Sequence, residues 1–177
     1  MAEDLIVALG VDEQLGIADD ATLIRPATLA MNDAIGWVEV HTGHLLRLRS
    51  VTESLSSFDG TLKAWPVATT AKARVAYGVP GVTPVLIENV PVIVSRRPAR
   101  LARPAALAAW PRLDAGAEVQ VTVDAGYATA DLIPGNLRRA VLVLAAAYDS
   151  DREGGDILAA AEKSARSLCG PFRMRRL

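Results

Sequence analysis

The sequence predicts an α+β fold: a small bundle of three to four helices, an antiparallel β-sheet region inserted into it, and an extended C-terminal tail. Two patterns and one composition carry this expectation. Helical apolar periodicity covers residues 20–42 and returns after residue 131. Residues 45–125 hold short alternating or β-branched runs punctuated by prolines. The chain has 177 residues, of which 51% are apolar and only 5% aromatic. That length suits a single domain, 1–177, with a core that needs no disulfide or metal staple. Alanine supplies 31 of the apolar residues, so the core is finely divided and its elements can approach closely.

Helices are expected at about 4–10, 20–42, 134–150 and 156–169, the β region at about 45–125, and a C-terminal arm at 170–177. In the second helix Ala27, Met31, Ala34, Ile35, Val38 and Thr42 form one stripe. Asp19 or Asp20 can cap its start, Pro26 should kink it or mark its first turn, and Gly43 is placed to end it in a left-handed cap. Within the β region, Leu46-Arg47-Leu48-Arg49 and Val119-Gln120-Val121-Thr122-Val123 alternate. Val85-Leu86-Ile87 and Val92-Ile93-Val94 read as two short strands broken by Pro84, Pro91 and Pro98. The prolines are expected on edges or in loops, Asp59-Gly60 could turn one strand pair, and Tyr77-Gly78-Val79-Pro80-Gly81 reads as a turn. Pro134 suits the first turn of the next helix, in which Leu137, Val141, Leu144, Ala145 and Tyr148 share a stripe. Gly154-Gly155 breaks the chain, and Asp156 can cap a last helix carrying Ile157, Leu158, Ala161, Ala165 and Leu168. Cys169-Gly170-Pro171 stops that helix.

Net charge is −1, which argues against nucleic-acid binding through bulk charge. The charges are segregated. Residues 1–20 hold six acids and no base, whereas residues 89–113 hold five arginines and no acid. After Lys163 come Arg166, Arg173, Arg175 and Arg176, again without an acid. No apolar run reaches the roughly 18 residues of a membrane span, and the acidic start does not read as a secretory signal. The single cysteine, Cys169, excludes an internal disulfide and fits assembly in a reducing cytoplasm.

Chemistry-bearing patterns are few. No phosphate loop, dinucleotide fingerprint or nucleophile elbow is present. His41 and His44 are the only histidines, and Gly43 falls between them where the helix should end, so they read as solvent-facing or capping rather than as metal ligands. Asp149, Asp151, Glu153 and Asp156 open like a calcium loop with Gly154 sixth, but the twelfth position is Ala160, so a capped helix–helix corner is the better reading. Cys169 at a helix C-terminus meets the negative end of the dipole and reads as structural. No catalytic residue, cofactor site or metal site is expected.

One ordered set of segments is informative. Val123-Asp124-Ala125-Gly126-Tyr127 is followed by Ile133-Pro134, Arg139-Ala140-Val141-Leu142-Val143-Leu144, Ala147-Tyr148 and Asp151-Arg152-Glu153. The chain then closes with an Ala-rich helix, Leu168-Cys169-Gly170-Pro171-Phe172-Arg173, and a basic tail. Upstream stand Val38-Glu39-Val40-His41-Thr42-Gly43 and Ala109-Trp110-Pro111. Over roughly residues 20–177 this order resembles the head–tail connector (adaptor) proteins of long-tailed bacteriophages and gene transfer agents.

The resemblance implies a structural, non-enzymatic role at the head–tail interface of a virion or phage-like particle assembled in the bacterial cytoplasm. It implies a homo-oligomeric ring, usually of twelve copies, below the portal protein. Such a ring extends the channel through which double-stranded DNA passes without sequence recognition, and it meets a tail-side stopper or tail-terminator protein. It also implies that the C-terminal tail reaches the portal, which here means Pro171, Phe172, Arg173, Met174, Arg175, Arg176 and Leu177. Phe172, Met174 and Leu177 alternate roughly with arginines, as anchors and charge-pairing groups of an extended peptide would. Tyr127 should pack on the bundle, and Arg152 with Glu153 could fix a corner as an ion pair. Arg96, Arg97, Arg100 and Arg103 have two readings: DNA phosphates in the channel, or a subunit or portal contact. The second is favoured, because Pro98 and Pro104 suggest a rigid extended arm. The competing class is a small nucleic-acid-binding module using the arginine segment and basic tail. Scarce aromatics and near-neutral charge weigh against it.

Overall fold

A computed structural model describes residues 21–95, 97–151 and 154–173. The expected helix at 4–10, the caps at Asp19 or Asp20, and the Arg152–Glu153 pair lie outside the described residues. The chain divides into two compact units: Met1–Leu46 with Tyr127–Leu177, and Arg47–Gly126. The fold is mixed α+β.

The first unit holds three helices among the described residues: α1 (Ala21–Thr42), α2 (Gly135–Ser150) and α3 (Asp156–Cys169). On α1 the stripe Met31, Ala34, Ile35 and Val38 is buried. Gly43 ends the helix at φ +68, with its amide donating to the Glu39 carbonyl at 2.7 Å. On α2 Leu137, Ala140, Val141, Leu144, Ala145 and Ala147 are buried. α3 buries only Ala161, Ala165 and Cys169, one turn apart. Ile157, expected on that stripe, is exposed. The fully buried line of α3 is therefore made of small side chains, which bring its backbone close to its neighbours, with Leu158 and Leu168 partly buried beside it. Burial pushes the Cys169 thiol up to about 11, so it packs as a small apolar group.

The corner between α2 and α3 is capped by Asp151 rather than Asp156. Its carboxylate accepts from the amides of Gly155 (2.9 Å) and Leu158 (3.2 Å). These bonds, the Gly155 one foremost, hold the Asp151 carboxyl below its usual value. Asp156 lies inside the helix as a first-turn acid.

The second unit is a six-stranded antiparallel sheet in the order β1-β6-β3-β4-β5-β2. Its strands are β1 (Arg49–Leu55), β2 (Thr61–Leu62), β3 (Lys72–Gly78), β4 (Val85–Ile93), β5 (Ala99–Leu101) and β6 (Glu118–Ala125). β6 alternates as its sequence suggests, burying Val119, Val121, Val123 and Ala125. Glu53 on β1 accepts from the amides of Lys63 (2.8 Å) and Ala64 (2.6 Å), tying the chain after β2 to the sheet. Phe58 is buried against Trp110, with rings stacked 4.8 Å apart, and meets Tyr77 edge-on at 5.3 Å.

The β region departs from its sequence expectations at three places. Leu46-Arg47-Leu48-Arg49 is not an alternating strand: Leu46 is buried in the helical core and its amide donates to Glu39 Oε1, so pairing starts at Arg49. Asp59-Gly60 turns the chain, but β1 and β2 pair with β6 and β5 rather than with each other. The runs before and after Pro91 are one strand, β4, and Pro91 stands inside the sheet rather than at its edge. Asn89 at φ +58 and a register shift opposite Ala73 to Val75 mark an irregularity where β4 passes from β3 to β5. Pro91 sits at that handover, and its carbonyl accepts from the Ala102 amide at 2.8 Å.

Gly126 closes the sheet unit. It has φ +115, and a Cβ there would stand 2.1 Å from the Arg47 carbonyl oxygen and 2.8 Å from the Leu48 nitrogen. Both obstacles are backbone, so no side-chain rotation can relieve them. Gly116, at φ +80, has open space around it. Gly126→Ala should cost about 2–4 kcal/mol, whereas Gly116→Ala should cost about 1 kcal/mol from backbone strain alone. Urea denaturation midpoints of the two variants check this ordering.

Candidate interaction surfaces

The described part of the tail begins as a 3-10 turn, Gly170–Phe172, not as an extended peptide. Phe172 is partly buried against the helical core and meets the His44 ring edge-on, 5.7 Å between centroids. Of the two readings given for His44, solvent-facing or capping, the first does not hold, because His44 is buried. Its Nδ1 shares a hydrogen bond of 2.9 Å with the Tyr127 hydroxyl, and the two rings stack 6.2 Å apart. The His44 amide donates to Thr42 Oγ1, whose hydroxyl donates to the Val38 carbonyl at 2.7 Å. Tyr127 packs on the bundle as its sequence position suggests. The root of the tail is thus fixed by buried Thr42 and His44 and by partly buried Tyr127 and Phe172. Pro171 and Arg173 are exposed. Met174, Arg175, Arg176 and Leu177 lie outside the described residues.

The arginine segment is anchored by β5, where Ala99 and Leu101 are buried and Arg100 between them is exposed. Arg103 is exposed and its guanidinium donates to the Ala108 carbonyl. Arg97 is half-buried, and Arg96 lies outside the described residues. A short paired strand thus replaces the proline-stiffened arm: Arg100 lies opposite Thr61 on one side and Ile93 on the other.

Two further surfaces are present, one without a motif in the sequence and one foreshadowed only by the turn at Tyr77-Gly78-Val79-Pro80-Gly81. One is a groove on the helical unit, about 620 Å³, whose apolar part is formed by Trp37, Gly36 and Val40. Asn32, Asp33 and Arg166 add polar groups to its lining. His41 stacks on Trp37 with ring centroids 4.8 Å apart. Burial, reinforced by the charges of Arg173 and Arg166, lowers its pKa. The other is the hairpin joining β3 and β4, whose Val82, Val85 and Leu86 are more than half exposed. The signals available were Val40 standing off the buried stripe of α1, and the absence of any charged residue between Arg74 and Glu88.

Among the described residues no group of three or more His, Cys, Asp or Glu side chains could hold a metal ion. No described helix is long and apolar enough to cross a membrane.

No protein-family model matches the chain, and no curated protein matches it. Solved structures do. A chain in the neck of an empty gene transfer agent particle, computed with C6 symmetry, is 26% identical with a TM-score of 0.74, over 97% of this chain and 92% of that one. A chain in the neck of a native particle, computed with C12 symmetry, is 27% identical with a TM-score of 0.69, over 97% and 91%. A chain in the virion of a native gene transfer agent particle is 28% identical with a TM-score of 0.68, over 85% and 78%. The likeness therefore spans both the helical unit and the sheet unit.

Replacing Tyr127 by Phe leaves the buried His44 ring without its hydroxyl partner. The expected cost is about 1–2 kcal/mol. A denaturation midpoint equal to that of the parent protein would show that the network does not hold the tail root.

Proposed function

We propose that this chain is a structural head–tail connector subunit of a virion or phage-like particle. The observation that carries the reading is the near full-length likeness, at 26–27% identity, to chains in gene transfer agent necks. The protein acts as one of twelve copies in a ring below the portal. The ring extends the DNA channel and offers its far side to a tail-side stopper or terminator protein. The twelvefold number follows the C12 symmetry of one such neck. Catalysis has no part in this role.

The tail residues from Pro171 to Leu177 reach the portal. The packing of Phe172 divides that segment into two parts. Phe172 serves the chain's own fold, which leaves Arg173, Met174, Arg175, Arg176 and Leu177 as the docking portion. Three arginines among these five residues suit an acidic portal surface, and Met174 and Leu177 supply apolar anchors. Exposed Arg100 and Arg103 contribute to a neighbouring subunit or to the portal. A nucleic-acid-binding module finds no support. Of the eight aromatic residues, Phe58, Tyr77 and Trp110 pack on one another instead of presenting faces to bases.

Truncation after Arg173 should abolish docking onto portal-bearing heads while leaving the thermal melt unchanged. Truncation after Gly170 should also lower the melting temperature, because it removes Phe172. Co-sedimentation with heads, read beside the melts, checks both. Normal docking by the chain that ends at Arg173 would refute the tail's role.

A further inference from the structure

We infer that the acidic segment 1–20 of one copy pairs with Arg100, Arg103 and Arg112 of the next copy. This deepens the ring reading above and rests on it. The three arginines are exposed on the sheet unit, and among the described residues no carboxylate forms an ion pair with any of them. Arg100 stands on β5, where its cross-strand neighbours Thr61 and Ile93 are uncharged. Arg103 donates to the neutral Ala108 carbonyl, which holds its guanidinium without offsetting its charge. Arg112 stands two residues after Trp110, whose ring is stacked on Phe58. Glu53 reaches the chain just past β2, but its two oxygens accept from the amides of Lys63 and Ala64. Residues 89–113 carry no acid of their own. The sheet unit therefore presents a cationic surface to which its described carboxylates supply no counter-charge.

The occupant is the N-terminal segment of a second copy. Residues 1–20 contain six acids and no base, and the acids stand in adjacent pairs: Glu3 with Asp4, Asp12 with Glu13, Asp19 with Asp20. All five cations of the 89–113 segment are arginines, whose planar fork takes a carboxylate through two parallel hydrogen bonds. Asp12 stands nine residues before Ala21, where α1 begins, on a tether of up to about 30 Å. A compact chain of this length has a radius of gyration of only about 16 Å, so the tether reaches an adjacent copy. Charge also selects how copies meet. Two acidic segments repel each other, as do two arginine surfaces, so neither makes a self-complementary dimer. Acid against arginine attracts, and that contact is heterologous, the kind that closes into a ring when the rotation per copy divides a full turn. DNA is the weaker occupant. The same arginines repeated around a channel would bind the phosphates of a duplex that has to pass through it.

Charge reversal in the full chain tests the pairing. Arg100→Glu with Arg103→Glu should melt as the parent does and lose at least tenfold in incorporation into the necks of portal-bearing heads. Asp12→Lys with Glu13→Lys should lose as much. Combining all four substitutions should restore most of the loss. Parent-level incorporation of either pair would overturn the inference. So would a combined variant that recovers nothing, which would leave the arginines to the portal or to DNA. Cross-linking with a bis-maleimide separates a contact between copies from one within a chain. Gln14→Cys and Ala105→Cys leave the charged residues in place, Ala105 is exposed, and the native Cys169 is buried and does not compete. In assembled particles the double variant should give a ladder of covalent multimers on a denaturing gel, and each single variant should stay monomeric. Double-variant rings that yield only monomers, or dimers from either single variant, would overturn the contact. Heads that carry no ring, even with the parent chain, would overturn the connector reading and this contact with it.

Discussion

Close approach of three helices through small side chains is the constraint on which the helical unit depends. α3 buries Ala161, Ala165 and Cys169 and no larger residue. α2 adds Ala140, Ala145 and Ala147 to the same core. Interiors packed to crystal-like density tolerate extra methylenes poorly, so these positions set the spacing of the helices. The larger residues, Met31, Ile35, Leu137 and Leu144, then fill what the alanines leave. The groove over Trp37 and Val40 lies on the outward side of this packing, where α1 has an apolar surplus that its own stripe does not bury.

The sheet unit obeys a different constraint. Its first and last strands pair along their whole lengths, from Arg49 opposite Ala125 to Leu55 opposite Val119. The two ends of the 47–126 segment are therefore neighbours, and Gly126 lets the backbone pass within contact of Arg47. An element whose ends meet can interrupt a helical sequence without separating its halves. In the β3–β4 hairpin Val82, Val85 and Leu86 are more than half exposed.

Much of this was readable from residues alone. Gly43 and Pro134 mark helix boundaries because each acts through local backbone geometry. The valine alternation of β6 is equally local. What the sequence hid depends on distant partners. Leu46 looks like strand but is captured by the helical core. Pro91 looks like a strand breaker but sits where β4 changes neighbours. His44 looks solvent-facing beside Gly43, yet Tyr127, 83 residues away, buries it. The tail root follows the same pattern: Phe172 packs on the helical core, and the spacing of Phe172, Met174 and Leu177 does not say which anchor the fold keeps for itself. The groove left only a negative signal, an apolar residue off the stripe, whereas the turn between β3 and β4 was legible in Tyr77-Gly78-Val79-Pro80-Gly81.

The central claim is that this chain works as a ring subunit at the vertex joining head to tail. Cryo-electron microscopy of portal-bearing heads incubated with the full chain tests it most directly, with reconstruction of the vertex free of imposed symmetry. The account predicts a closed ring of twelve copies coaxial with the portal, its central opening continuous with the portal channel. A vertex without added density, or a single copy bound off the axis, would contradict it.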